Sequence, residues 1–205
     1  SPGQASWEAN QLTQLANNVA LSPWQRIGPF VEENLKKAHE RAFINETVVD
    51  LKKTHGNLKW KIAKSLRDGK QHQLNGANCS TYLFRTIHSS IEQKRELSIG
   101  SDDSFKIWLN GKLIANKYIT RGLAPDQDKI KVRLAKGENK LLFKVSNGGG
   151  GYGFYFKTEA IPLPSEVVTA VQVKLTKRTE KQKSILAAYY RTFASELSPI
   201  RQKIA

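Results

Sequence analysis

The stretch "SDDSFKIWLNGKLIANK", residues 101–117, decides the fold class of this chain. Phe105, Ile107 and Leu109 occupy every second position, and a period of two is typical of a β-strand. Asn110-Gly111 follows at once and separates this segment from "KLIA". Because Asn-Gly adopts the positive φ angles of a two-residue hairpin turn at little cost, the sequence predicts two antiparallel strands here.

The segments that follow continue the β pattern. "KIKVRL" (129–134) alternates basic and aliphatic residues, and "NKLLFKV" (139–145) comes after a glycine turn. In "VSNGGGGYGFYF" (145–156), four consecutive glycines separate two apolar segments. A phosphate-binding glycine loop leads from a strand into a helix, whereas here a strand follows. We therefore predict that Asn147 to Gly153 is a loop that joins two strands.

The first third of the chain is less regular. Acidic residues come first and basic residues later in "VEENLKKAHERAF", so a short surface helix is predicted over 31–43. Asp68-Gly69 predicts a tight turn. Short strands are predicted around this helix and this turn, in "WQRIGPF" (24–30), "VVDL" (48–51), "KWKIA" (59–63), "RDGKQHQL" (67–74) and the segment that begins at "STYLFRTIHSS" (80–90).

The C-terminal segment has a helical pattern and a high charge. Residues 178–205 predict an amphipathic helix, bent at Ser198-Pro199, whose apolar residues recur every three or four positions: Leu186, Tyr189, Tyr190, Phe193, Leu197, Ile200 and Ile204. This stripe needs a partner, which is the sandwich, a domain of a longer chain, or a second copy that forms a homo-oligomer. The predicted organisation is a lead-in (1–21), a mainly β, antiparallel jelly-roll sandwich (22–164) and a connecting segment with this helix (165–205).

Composition restricts the class of partner. The chain has 33 Lys and Arg against 18 Asp and Glu, a formal net charge of +15, which favours a polyanion. Nucleic acid is not favoured, because aromatic residues do not alternate with the basic residues of 52–70 as a single-strand groove requires. No apolar run reaches the roughly 20 residues of a membrane-spanning helix. Ser1-Pro2-Gly3 carries neither Met nor a signal sequence, so we expect a piece of a longer protein.

Enzyme and transition-metal motifs are absent from the sequence. It contains no Gly-x-Ser-x-Gly and no His-Glu-x-x-His, and the four histidines lie 16 or 17 residues apart. The single cysteine, Cys79, excludes an internal disulfide and a Cys-x-x-Cys-His haem site. We therefore predict a protein that is not an enzyme and for which no cofactor is certain.

Several of these motifs together resemble a known family. "WQRIGPF", "SDDSFKIWLNGKLI", "RGLAPDQDK" and "KGENKLLFKVSNGGGGYGFYF" are similar to the galactose-binding-like jelly-roll modules of large secreted proteins of planctomycete-type bacteria, which often also carry cytochrome c domains. The resemblance covers about residues 22–205. It implies an eight- or nine-stranded β-sandwich, a carbohydrate-binding role and an extracellular or periplasmic location.

A second resemblance concerns the aspartate pair. "GSDDSFKIWLNG" is similar to the Asp-Asp segment of protective-antigen-like lectin domains, where paired aspartates hold calcium and the ion holds sugar hydroxyls. This resemblance implies that Asp102 and Asp103 are calcium ligands. The alternative interpretation is that the two side chains cap a tight turn before a strand.

A sugar site in a β-sandwich needs aromatic faces and planar polar groups. We predict Trp108, Tyr152 and Tyr155 as stacking residues, with Asn147 and Arg121 as polar ligand-binding residues; the alternative is that each ring only packs in the sandwich. The sequence thus predicts a non-catalytic module for acidic or sulfated polysaccharide. The alternative function is a scaffold module that contacts a partner domain or dimerises through its C-terminal helix.

Overall fold

A computed structural model describes residues 2–16, 19–158, 165–192 and 194 of the chain. The chain divides into two compact units, one formed by residues 21–159 and one by residues 1–20 with 160–205. Among the described residues, no helix combines the length and the apolar character needed to cross a membrane.

The strands are β1 (Val19–Leu21), β2 (Gln25–Val31), β3 (Lys61–Ile62), β4 (Gln71–Gln73), β5 (Cys79–Ser89), β6 (Gln93–Asp102), β7 (Ser104–Leu109), β8 (Lys112–Lys117), β9 (Asp128–Leu134), β10 (Gly137–Asn147) and β11 (Gly153–Lys157). The helices are α1 (Pro2–Ala16), α2 (Leu35–Glu40), α3 (Ser165–Gln172) and α4 (Glu180–Arg191), with a short 3-10 helix at Leu175–Lys177.

The larger unit is an antiparallel β-sandwich, so the predicted fold class is confirmed. A seven-stranded sheet has the order β3-β2-β5-β10-β7-β8 along its main path, and a four-stranded sheet has the order β4-β11-β6-β9. Aromatic rings from the two sheets meet between them: Phe143 of β10 lies 5.9 Å from Phe154 of β11, edge to face. Leu97, Ile99 and Ile107 are fully buried. The apolar positions that alternate along these strands therefore form the core.

The Asn110-Gly111 hairpin between β7 and β8 is confirmed. Asn110 and Gly111 have φ angles of 52° and 78°, the left-handed values that such a turn needs. The glycine turn before β10 is also present, but it does not make a hairpin, because β9 pairs with β6 whereas β10 pairs with β5 and β7. The chain therefore crosses between the sheets at this turn, and it crosses back in the glycine loop between β10 and β11.

The seven-stranded sheet is covered on its second face as well. An apolar cluster lies there, containing Ile27, Phe30, Ile44, Trp60, Tyr82, Phe84, Trp108 and Leu142, with Phe43, Val49, Leu51 and Leu58 packed against it. The segment from residue 43 to residue 60 supplies the cover. The strand predicted at 48–51 is therefore wrong, because Val49 and Leu51 pack onto the sheet from an irregular segment instead of joining it.

Two further predictions in this region need correction. The helix predicted over 31–43 is restricted to Leu35–Glu40, since Val31 ends β2 and Arg41 is extended. Asn34 begins the helix by accepting a hydrogen bond from Lys37 N at 2.9 Å. The strand predicted at 59–63 is reduced to Lys61–Ile62.

The smaller unit is helical. Trp7 of α1 lies 5.9 Å from the ring of Tyr189 and 5.7 Å from that of Tyr190 in α4. Leu186 is fully buried with Val167 and Val171 of α3, so the described part of the apolar stripe packs within this unit. The described helix ends at Arg191. The remaining predicted stripe positions and the bend lie outside the described residues: Phe193, Leu197, Ser198, Pro199, Ile200 and Ile204.

Candidate functional site

The aspartate pair and the glycine loop lie together at one end of the sandwich. Asp102 ends β6 of the four-stranded sheet and Asp103 precedes β7 of the seven-stranded sheet, so the pair forms a corner between the sheets. The peptide bond between the two aspartates is cis. The glycine loop makes the opposite crossing, from β10 to β11. We call Asp102, Asp103 and residues 147–153 the aspartate–glycine site.

The carboxylate of Asp103 is held by the backbone on both sides. Its Oδ1 accepts a hydrogen bond from Arg121 N at 2.9 Å, and its Oδ2 accepts one from Gly148 N at 2.9 Å. The residue is only 4% exposed. Because two backbone N–H groups bind its two oxygens, the Asp103 carboxylate is held in one position at the base of the site.

Asp102 is more accessible than Asp103, and its surroundings disfavour its ionised form. Burial, and then the neighbouring charge of Asp103, raise the pKa of the Asp102 carboxyl, against a hydrogen bond from the backbone of Leu123. A Cβ at Gly151 would lie 2.5 Å from Asp102 Oδ2. The Gly151 backbone therefore lies against this carboxylate, and a side chain at this position would require Asp102 to move.

Asn147 lies at the start of the loop and shapes it. Its Oδ1 accepts a hydrogen bond from Gly149 N at 3.1 Å, and its Nδ2 donates to Gly76 O at 2.6 Å. The residue is fully buried. Asn147 thus lies next to Gly148, which binds Asp103, and its amide groups already hold the loop in place.

The donor chemistry of the site fits a calcium ion. Two carboxylates, the Asn147 amide oxygen and the backbone carbonyls of the loop are hard oxygen ligands, which Ca²⁺ prefers, and two carboxylates balance its charge. Among the described residues, no group of three or more His, Cys, Asp and Glu side chains is placed to hold a metal. Loop carbonyls and water would therefore have to complete a shell of six to eight oxygens.

Arg121 contacts Asp103 through its backbone and holds the neighbouring residues through its side chain. While its backbone N–H binds Asp103, its guanidinium donates from Nη2 to Ser101 Oγ at 2.8 Å and to Asp128 Oδ2 at 2.6 Å. Burial acts to raise the pKa of Asp128, but hydrogen bonds from Lys117 and Arg121 lower it overall. The guanidinium is thus committed to this ion-pair network, which fixes the segment that contacts Asp103.

The three predicted stacking residues are buried and do not share a surface. Trp108 is 5% exposed and lies in the cluster on the second face of the seven-stranded sheet. Tyr152 is 2% exposed and donates its hydroxyl to Val145 O at 2.9 Å. Tyr155, 4% exposed, lies in β11 of the other sheet. These contacts are those of packing residues, the alternative that the sequence left open.

Sequence reasoning missed a second surface, on the four-stranded sheet. A concave region of about 680 Å³ is lined mainly by basic residues of β6, β9 and the end of β11. The alternating lysines of β9 were visible in the sequence. Their alignment with Lys94 and Lys157 depends on strand pairing, which the sequence pattern does not specify.

Comparison with protein-family models and with curated protein sequences gave no match. Among solved structures, the PA14 sugar-binding domain from an RTX adhesin is 12% identical, with a TM-score of 0.44 over 66% of this chain and 88% of that chain. The PA14 domain of MpAFP antifreeze protein is 13% identical, with a TM-score of 0.33 over 40% and 45%. The β-glucosidase from Kluyveromyces marxianus in complex with glucose is 16% identical, with a TM-score of 0.40 over 71% and 18%. The chain spans less than half of the latter two chains, and likeness at this level carries no argument about function.

Proposed function

We propose that the chain is a non-catalytic carbohydrate-binding module whose aspartate–glycine site holds a calcium ion that contacts sugar hydroxyls. One observation carries this proposal. The four glycines 148–151 lie against a pair of adjacent carboxylates, with Gly148 N bonded to Asp103 and the Cβ position of Gly151 2.5 Å from Asp102 Oδ2. The corner is therefore acidic, and the glycines that lie against it add no side chains that would block an ion or a sugar.

The electrostatics support the same site. The raised pKa of Asp102 reflects the cost of keeping two carboxylates together in a partly buried corner. A divalent cation removes that cost and keeps coordination positions for ligands outside the protein. Asp102 and Asp103 would hold the ion, and two adjacent sugar hydroxyls are hard oxygen donors of the type that completes its shell.

The buried state of Asp103 argues against catalysis at this site. A glycosidase needs two carboxyl groups on opposite sides of the scissile bond, one as acid and one as base or nucleophile. Here the two carboxyl groups are sequence neighbours, and both oxygens of Asp103 accept backbone N–H bonds. Binding without bond cleavage is the activity that this arrangement supports.

The ligand class and the setting follow from charge and from the family resemblance. A formal net charge of +15 favours acidic or sulfated polysaccharide over neutral glycan. We propose that the module acts outside the cytoplasm, as part of a larger secreted protein. Association of two copies through the C-terminal helix stays a prediction, which light scattering coupled to gel filtration can check.

A calcium titration followed by glycan-array binding tests the function. Calcium is expected to raise the melting temperature and to be required for binding at the site, because an ion that binds only the folded state stabilises it by mass action. Asp102→Asn should abolish both effects. Asp50→Asn makes the same chemical change at an exposed residue and should abolish neither. A melting temperature that calcium does not raise, or an Asp102→Asn variant that responds normally to calcium, would contradict the proposal.

A further inference from the structure

The outer face of the four-stranded sheet carries rows of cations. Strand register aligns Lys157 with Ser98 and Ser98 with Lys129, so the two lysines flank the same position of β6. The next rows pair Glu96 with Lys131, and Lys94 with Arg133. We call this concave surface the basic trough; it is lined by Lys94, Arg95, Glu96, Ser98, Asp126, Lys129, Lys131, Lys157 and Thr158.

The trough is lined by five basic side chains and two acidic ones. Glu96 pairs with Lys129 at 3.2 Å, and both side chains are well exposed. Among residues 2–16, 19–158, 165–192 and 194, Lys94, Lys131 and Lys157 have no partner in an ion pair, and all three are exposed. Like charges on neighbouring positions of a sheet repel one another, so this arrangement costs stability unless an anion is bound.

The spacing of the cations suits a linear ligand. Residues two apart on one strand lie about 7 Å apart, so the three rows from Lys129 to Arg133 extend over roughly 14 Å. Adjacent strands are about 4.8 Å apart. Anionic groups repeated along an extended polymer can meet several of these ammonium groups together, which a single small anion cannot do.

The chemistry of the trough distinguishes between kinds of polyanion. No aromatic side chain is found among its described lining residues, and the nearby Tyr155 is only 4% exposed. Single-stranded nucleic acid binding depends on base stacking against exposed rings. Most of the cations are lysines, which act as compact point charges and suit sulfate or carboxylate groups on a flexible chain.

We propose that the basic trough is a second, calcium-independent binding surface for the sulfate or carboxylate groups of a linear acidic polysaccharide. The assignment of the polymer as a polysaccharide rests on the proposed function, whereas the preference for a polyanion rests on the trough itself. The two sites use different residues, Asp102 and Asp103 in one and lysines of β9 and β11 in the other. They can therefore be tested separately.

The test measures dextran sulfate binding by titration calorimetry in EDTA, with neutral dextran and poly(U) as comparison ligands. The trough variant combines Lys129→Glu, Lys131→Glu and Lys157→Glu. Its matched control combines Lys36→Glu, Lys112→Glu and Lys140→Glu, which are exposed lysines outside the trough, so both variants change the net charge equally. We expect the trough variant to weaken binding about tenfold or more and the control to weaken it much less.

Each outcome bears on one site. Equal weakening by both variants, failure of the wild type to bind dextran sulfate, or tighter binding of poly(U) would overturn the trough proposal. A triple Lys→Gln variant at the same three trough positions repeats the test without introducing acidic charge, in case charge reversal impairs folding. The calcium-dependent shift in melting temperature should persist in the trough variants, and dextran sulfate binding in EDTA should persist in Asp102→Asn. Failure of one proposal is thus distinguishable from failure of the other.

Discussion

Lys144 is a buried cation in the middle of the seven-stranded sheet, and it predicts how stability depends on pH. The residue is fully buried, and Nζ donates to His39 O at 2.8 Å and to Arg41 O at 2.6 Å. Burial lowers its pKa from 10.5 to about 7, although the charge of Glu46 opposes this shift. Because the unfolded chain holds the lysine proton more tightly than the folded chain does, the free energy of unfolding rises with pH between about 7 and 10.5.

The expected magnitude follows from these two pKa values. Between about pH 7 and pH 9, the wild type should gain on the order of 2 kcal/mol of stability from this one group. Lys144→Met removes the titration and should remove that gain. The variant also leaves the buried carbonyl group of His39 and the partly buried one of Arg41 without this donor. The loss costs about 1–3 kcal/mol for a fully buried group, but this cost does not vary with pH.

Urea denaturation followed by tryptophan fluorescence, repeated across this pH range, measures the effect. Lys140→Met, at an exposed position of the same strand, is the control and should keep the wild-type pH dependence. The Cys79 thiol, whose pKa is raised by burial, acts in the opposite direction at high pH and is common to all three proteins. If Lys144→Met shows the same rise in stability with pH as the wild type, then the lysine is not desolvated as its burial indicates.

Three further substitutions and one control substitution test the packing and the site. Tyr152→Ala should lower the free energy of unfolding by about 3–5 kcal/mol, measured by thermal denaturation, because it removes a buried and well-packed side chain. A variant of normal stability with weakened glycan binding would show instead that Tyr152 contacts the ligand. Gly111→Ala should lower the free energy of unfolding by about 1–3 kcal/mol in the same assay, because φ is 78° and the new Cβ would lie 2.5 Å from a backbone oxygen. Gly149→Ala is the control and should be nearly neutral, because the space around it is open. Gly151→Ala should remove the calcium-dependent rise in melting temperature, because its Cβ would press on Asp102; an unchanged rise would place the ion elsewhere.

Local signals predicted those parts of the fold that depend on neighbouring residues. The Asn110-Gly111 turn, the alternation along β9 and the glycine loop each depend on a few consecutive side chains. The sheet to which a strand belongs depends on distant partners, so the separation of β9 from β10 was not predictable from the pattern. The pattern also did not predict that residues 43–60 cover the second face of the seven-stranded sheet, because apolar residues in an irregular covering segment show no regular spacing.

The candidate site was partly predictable for the same reason. The aspartate pair and the glycine run are each conspicuous in the sequence, but only the two crossings between sheets bring Gly148 onto Asp103. The stacking role of Trp108 was expected because alternation predicts one exposed face. In the structure β7 is buried on both faces, so a residue opposite the core is also covered.

The positions of the outermost strands affect how the folded protein behaves at high concentration. An exposed strand edge offers unpaired backbone groups to other molecules and is the usual starting point of β-aggregation. Here two outermost strands, β3 and β4, have only two and three residues. The other two are basic: β8 has a lysine at each end, and β9 carries Lys129, Lys131 and Arg133. Short or positively charged edges oppose strand exchange between copies. We therefore expect the folded chain to resist fibril formation even when many copies are crowded together on one surface.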